Sequence, residues 1–180
     1  MLRSLIAVVS VAMAVLAPAA SLAAEPVSTR DPNGHFFETT LGDLRGELAS
    51  AKQQGKLGVL LVFEMDDCPY CHRMHQTVLN RGDVQDYYRS QFIVLRIDIR
   101  GDSPIEDFGG RQTTEKAFAR EQKIVATPTF IFYGLDGQPL TRFPGVARDA
   151  GEFLQLGRYV VDGAYRTTTF AAYRQKRPAQ

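Results

Sequence analysis

Apolar residues fall along this chain in blocks of two periods, one suited to strands and one to helices. From Leu57 to Met65 the chain is apolar almost without a break, Leu57-Gly58-Val59-Leu60-Leu61-Val62-Phe63, and rich in Leu and Val. Such a run predicts a strand covered on both faces, as in a parallel α/β sheet. Phe92 to Ile99 predicts a second strand, in which Ile93, Leu95, Ile97 and Ile99 alternate with Arg96, Asp98 and Arg100. Val125 to Tyr133 predicts a third, with Pro128 at its mouth. The Asp-Gly pair in Leu135-Asp136-Gly137-Gln138 signals a hairpin that returns Leu140 to Phe143 antiparallel to it.

Between these runs the spacing turns helical. Leu41, Leu44, Leu48 and Ala51 predict a helix from Leu41 to Gln54, with Asp43 in its first turn and Gly55 as its stop. A helix opening at Cys68 runs to about Leu79 and ends at Asn80-Arg81-Gly82, and Asp83 to Gln91 carries Val84, Tyr87 and Tyr88 inward. Thr113 or Thr114 caps a helix through Gln122, with Glu115 well placed in its first turn. Asp149 to Val161 is amphipathic through Phe153, Leu156, Tyr159 and Val160, and a weaker helix covers Thr168 to Arg174. Glu25 to Phe37, rich in Pro, Asn and Gly, reads as an irregular lead-in. Gly101 to Gln112 reads as a polar, glycine-rich loop, either solvated or a partner-docking surface. The order helix, strand, helix, helix, strand, helix, strand, strand, helix predicts an α/β fold, a three-layer mixed β-sheet flanked by helices on both faces.

The 180 residues, 44% hydrophobic, suffice for one good core and one domain. Arg3, the apolar run Leu5 to Leu16, Pro18, and small residues at Ser21 and Ala23 form the pattern of a secretory signal peptide cleaved near Ala23 or Ala24. The expected organisation is a signal peptide at 1–23, the lead-in at 24–40 and a single domain at 41–177, exported to the periplasm. Removing the leader takes one arginine from 21 basic residues and nothing from 20 acidic ones, which leaves the chain balanced. That balance gives no electrostatic footprint for nucleic acid or an anionic membrane surface. Two cysteines are too few for the disulfide framework of a small secreted fold, so an exported protein with one close pair is expected to use it.

The pair lies in Cys68-Pro69-Tyr70-Cys71-His72, directly after the most apolar strand. A thiol there faces the free N–H groups and positive end of the helix dipole, which favour thiolate. Three kinds of chemistry fit the residues. In dithiol/disulfide exchange, Cys68 is an exposed attacking sulfur and Cys71, one turn deeper, resolves the mixed disulfide; Pro69 sits at the first helical position, where no hydrogen bond is lost. The same residues match the C-x-x-C-H pattern of a c-type haem electron carrier. Cys68 and Cys71 with His72 or His75 would also serve a thiol metal-binding protein, although a closed set of four ligands is hard to complete. An inert stabilising disulfide is the remaining possibility, disfavoured because so short a loop constrains the unfolded chain little.

Neighbouring residues modulate any such site. His72 and His75 read as surface or boundary residues that would favour the Cys68 thiolate if protonated. Asp66 and Asp67 act in the opposite direction. Glu64 shares a strand face with Val62. If buried it is expected to have a raised pKa and to carry a proton for Cys71; otherwise it points to solvent at the strand end. A proline between Thr127 and an apolar strand is expected to be cis, which presents the Thr127 backbone to an extended substrate segment.

These features together resemble the thioredoxin superfamily: an apolar strand leading into Cys68-x-x-Cys71, and Thr127-Pro128 opening the next-to-last strand. Phe63-Glu64 ahead of Cys68-Pro69-Tyr70-Cys71-His72-Arg73-Met74-His75, the Thr127-Pro128-Thr129-Phe130 strand and the Val161-Asp162-Gly163-Ala164-Tyr165 tail resemble the SoxW-type periplasmic thioredoxins. The resemblance implies a thioredoxin fold and a monomeric thiol:disulfide oxidoreductase without cofactor or metal. It would reduce protein disulfides, be kept reduced by a membrane electron donor of the CcdA/DsbD kind, and serve sulfur-oxidation proteins. A dithiol oxidase or a disulfide isomerase is the nearest alternative. The resemblance makes Cys68 the nucleophile, Cys71 the resolving thiol and Pro128 the cis proline; beside it, the reading of the residues offers Glu64 as a further catalytic group and Thr127, Pro69 and Tyr70 toward the substrate. Three departures stand out: Asp67 occupies the place of a usual tryptophan, the chain has no Trp, and Val62 stands where a buried aspartate is usual.

Overall fold

The structure, a computed structural model, describes residues 28–176. The expected signal peptide at 1–23 lies outside the described residues, as do 24–27 of the lead-in. In chain order the elements are α1 (Pro32–His35), α2 (Leu44–Gln53), β1 (Gly58–Glu64), α3 (Pro69–Met74) running into a π-turn (His75–Leu79), α4 (Gly82–Gln91), β2 (Phe92–Asp98), β3 (Pro104–Glu106), β4 (Gln112–Thr114), α5 (Glu115–Glu121), β5 (Thr129–Gly134), β6 (Pro139–Pro144), α6 (Ala150–Val161), a 3₁₀ turn (Ala164–Arg166) and α7 (Phe170–Lys176). Among the described residues no helix is long and apolar enough to cross a membrane.

The central sheet has the order β2-β1-β5-β6, with β1 parallel to β2 and antiparallel to β5, and β6 antiparallel to β5. Because side chains alternate along a strand, β1 supplies two cores at once. Leu60 and Val62 pack with Met74, Val78, Val84, Tyr88, Phe130, Phe132 and Phe153 on one face. Val59, Leu61 and Phe63 pack with Leu44, Leu48, Ile93, Leu95, Phe118 and Ile131 on the other. The result is the mixed three-layer sheet expected from the pattern. All seven residues of β1 are buried, which explains why it reads as a continuous apolar run rather than an alternation. Gly58 opens it with φ of 154°, and a Cβ there would run into the Tyr133 carbonyl of the neighbouring strand.

Side chains hold the helix starts. Asp43 accepts from the Gly46 N–H at 2.7 Å, Thr114 from Ala117 at 3.3 Å and Asp149 from Glu152 at 2.8 Å. Asp43 is thus the cap of α2 rather than part of its first turn. Leu41 falls outside that helix and is 99% exposed, because the chain turns at Gly42 before the cap. Val125 likewise is no strand residue: β5 starts only after Pro128, and Val125 is 94% exposed.

Two stretches read as irregular carry structure. In the lead-in, Asp31 caps the single turn α1, and Phe36 and Phe37 enter the core. The Arg30 N–H donates to the Asn80 carbonyl at 2.8 Å, and the Glu38 N–H to that of Val94 at 2.8 Å, which ties the segment to the end of the π-turn and to β2. The Gly101 to Gln112 stretch contains β3, which pairs antiparallel with β4; Ile105 reaches the α2 core. Three-residue strands are too short to leave a periodic signal.

The aromatic cluster around Phe153 should dominate stability. Phe153 stacks on Tyr88 with centroids 4.4 Å apart and meets Phe130 edge-on at 4.9 Å. Phe153→Ala is expected to cost about 3–5 kcal/mol, whereas Leu41→Ala should change stability by less than about 0.5 kcal/mol. Urea unfolding of both variants checks this, and comparable shifts in midpoint would contradict the arrangement.

Candidate active site

The antiparallel pairing of Phe63 with Thr129 places the exit of β1 beside the entry to β5. From the first, Met65-Asp66-Asp67 lead to Cys68 at the start of α3. From the second, Thr127-Pro128, joined by a cis peptide bond, approaches from the opposite direction. Two segments distant in sequence therefore converge at one end of the sheet.

Cys68 is the N-cap of α3, with φ −95° and ψ 107°, and its sulfur takes the place of a capping oxygen. It accepts the Cys71 N–H at 3.1 Å and the Thr127 hydroxyl at 3.2 Å, and lies 3.6 Å from the Thr127 carbonyl oxygen. The two donors, added to the helix N-terminus, stabilise negative charge on this sulfur. Cys71 follows one turn on, its Cα 5.2 Å from that of Cys68, and the two form a disulfide. Pro69 occupies the first helical position, and Tyr70 beside it is 61% exposed.

Cys68 is not the exposed sulfur the sequence suggests. It is 1% exposed and Cys71 2%, because Thr127 covers the first and the helix covers the second.

Glu64 ends the apolar run of β1 and points inward, only 3% exposed. Its carboxylate is paired, not isolated. The His75 Nε2–H reaches both oxygens, at 2.8 and 3.0 Å, and Arg96 Nε stands 3.8 Å away. His75 is therefore no bystander: its side chain is 19% exposed and packs against Phe37, ring centroids 5.5 Å apart. Glu64, Cys71, His72, His75, Arg96 and Asn33 line one cleft of about 190 Å³. His72 itself turns outward, and its Nε2–H donates to the Asp66 carbonyl at 2.7 Å.

The two carboxylates ahead of Cys68 are also compensated. Asp66 binds Arg96 Nη2 at 2.8 Å, and Asp67 binds Arg100 Nη1 through both oxygens at 2.8 Å. The Arg100 guanidinium, by hydrogen bonding, holds the Asp67 carboxyl below the usual carboxylate range. Their opposition to a Cys68 thiolate is reduced accordingly. The alternation Arg96-Asp98-Arg100 signalled that this part of the chain carries cations, but not where they point.

The cysteine pair thus has a cap, a hydroxyl donor, a buried acid and a cis-proline segment around it, a set suited to breaking and making S–S bonds. For the metal alternative, both histidines of α3 and the π-turn already spend Nε2 on Asp66 and Glu64. Among the described residues no three His, Cys, Asp or Glu side chains are placed to hold a metal ion. Haem attachment would consume as thioethers two sulfurs that are buried and joined to each other in a disulfide.

Comparison with known proteins agrees with this geometry. The model of a thioredoxin-like domain matches residues 44–161. Solved structures of the same fold include a thioredoxin-fold protein from Helicobacter pylori, with 20% identity, a TM-score of 0.60, and 79% of this chain and 91% of that one covered. A thioredoxin from Thermus thermophilus has 27% identity and a TM-score of 0.52 over 68% of this chain and 88% of that one. The DsbH oxidoreductase has 14% identity and a TM-score of 0.54 over 84% and 96%. No curated protein matches the chain.

The hydroxyl of Thr127 should matter to the sulfur it touches. Thr127→Val keeps the branched shape and removes the donor, so the reduced protein should react more slowly with iodoacetamide at Cys68 under mildly acidic conditions. Alkylation followed against pH checks this; an unchanged profile would show that the hydroxyl does not stabilise the thiolate.

Proposed function

The chain belongs to the thioredoxin-like domain family and is a thiol:disulfide oxidoreductase, and we propose that it reduces disulfides of exported proteins through Cys68 and Cys71. The observation that carries the assignment of roles is the asymmetry between the two sulfurs. Cys68 receives two hydrogen bonds that favour its anion and stands against Thr127-Pro128, while Cys71 faces the inner cleft with Glu64. In the reduced protein the Cys68 thiolate attacks a substrate disulfide, forming a mixed disulfide and releasing one substrate thiolate. Cys71 then gives its proton to the Glu64 carboxylate and attacks Cys68. The Cys68–Cys71 bond forms, the bond to substrate breaks, and the second substrate sulfur leaves with the electron pair. Thr127 and Pro128 supply the backbone against which an extended substrate lies, with Pro69 and Tyr70 on the opposite lip.

The finer reading follows the sequence resemblance to the SoxW-type thioredoxins. In it the N-terminal pattern of residues 1–23 directs export to the periplasm, a membrane donor of the CcdA/DsbD kind returns the pair to its dithiol form, and the substrates are sulfur-oxidation proteins. The balanced charge of the chain suits protein substrates rather than nucleic acid.

Cys71→Ser should accumulate mixed disulfides through Cys68, and Cys68→Ser should not; trapping by the second variant alone would reverse the roles. Identifying the trapped partners, together with the redox state of the pair in cells with and without the membrane donor, tests the direction of electron flow. Glu64→Gln should slow the second step by about 10²-fold or more if the carboxylate is its general base, and a rate equal to that of the native protein at every pH would remove it from the mechanism.

A further inference from the structure

The Cys71 side of the site contains a histidine to which the exchange reaction as described above gives no part. Cys71 and His75 are four apart on one helix face, where side chains meet across a turn. Beside that face lies Glu64, the last residue of the fully buried strand β1. We infer that His75 is the positioning residue that keeps the Glu64 carboxylate in the cleft it shares with Cys71. This rests on the proposed exchange reaction.

The geometry supplies the reasons. The His75 Nε2–H reaches both Glu64 oxygens, so it restrains the carboxylate in rotation as well as in distance. The imidazole is itself held, with Phe37 on its flank and the residue's backbone N–H bonded to the Cys71 and His72 carbonyls. The competing cation, Arg96, is drawn outward by Asp66: its Nη2 is 2.8 Å from that carboxylate, whereas its Nε is 3.8 Å from Glu64. Without His75, Glu64 would be left to Arg96 and would swing toward β2, away from the helix that carries Cys71. The other polar side chains around the cleft are His72 from α3, bound to the Asp66 backbone, and the neutral Asn33 from the lead-in. The histidine thus acts on the second step only. The proton leaves the Cys71 sulfur for a Glu64 oxygen as Cys71 displaces the substrate sulfur from Cys68, and attack by Cys68 on the substrate does not involve it.

The two steps can be measured separately in the full chain with a disulfide-bonded peptide. Formation of the mixed disulfide is followed in a Cys71→Ser background, and its resolution in the native cysteine pair by single turnover. His75→Leu should slow resolution about 10-fold, a part of the 10²- to 10⁴-fold that a general base supplies, and leave mixed-disulfide formation within about twofold. His75→Gln, whose amide N–H reaches the place of Nε2, should restore most of the rate. In a Glu64→Gln background, His75→Leu should add no further slowing, because it acts through the carboxylate. If the leucine variant does not fold, as judged by circular dichroism, His75→Asn, whose amide is drawn back from the carboxylate, takes its place with the same expectation. An unchanged resolution rate in a folded variant, or equal slowing with and without Glu64, would overturn the assignment. Failure of Cys71→Ser to form any mixed disulfide would instead overturn the exchange reaction, and this inference with it.

Discussion

Burial of β1 on both faces is the constraint from which the site follows. A strand with parallel β2 on one side and antiparallel β5 on the other cannot slide without breaking the close packing of both its apolar sets, since a shift by one residue exchanges the side chains that face the two cores. Its register with β5 then brings the chain leaving β1 to the chain entering β5. That juxtaposition sets a cysteine at a helix start against a cis-proline segment. The surrounding helices and the aromatic cluster around Phe153 keep the strand in place.

At the same end of the sheet the apolar stripes give way to charge. Glu64 ends one stripe of β1 and Arg96 interrupts β2, and each is satisfied locally: Glu64 by His75, Arg96 by Asp66. Charged groups so near a core survive because each has a partner, as the cost of leaving a buried charge unpaired demands. Placing them here, and not at the other end of the strands, gives the cysteine pair an electrostatic setting the core itself could not provide. The two sulfurs are consequently unlike. One has donors directed at it, and the other shares its surroundings with a carboxylate.

Local features of the fold were readable in the sequence because they depend on residues a few positions apart. The double burial of β1, the Asp-Gly hairpin, the threonine cap before Glu115 and the helix opening at Cys68 are of this kind. The reading faltered where apolar character stood without packing, at Leu41 and Val125, and where structure came in pieces too short for periodicity, at α1, β3 and β4. Phe36 and Phe37 belong to the core although their segment reads as polar and irregular, because that segment is anchored by backbone bonds to Asn80 and Val94 that no local pattern announces.

By itself, the sequence determined the order of the longer helices and strands, the placement of both cysteines at the head of a helix, and the presence of an acid and two histidines close to them. Only the tertiary structure decided that Thr127, 59 positions from Cys68, covers and hydrogen-bonds its sulfur, that Arg96 meets Asp66 across 30 positions, and that Glu64 takes His75 as its partner across 11. Periodicity and capping act over a turn or a strand, whereas these contacts arise from how strands are ordered and aligned in the sheet, and side-chain spacing along the chain carries no record of that alignment.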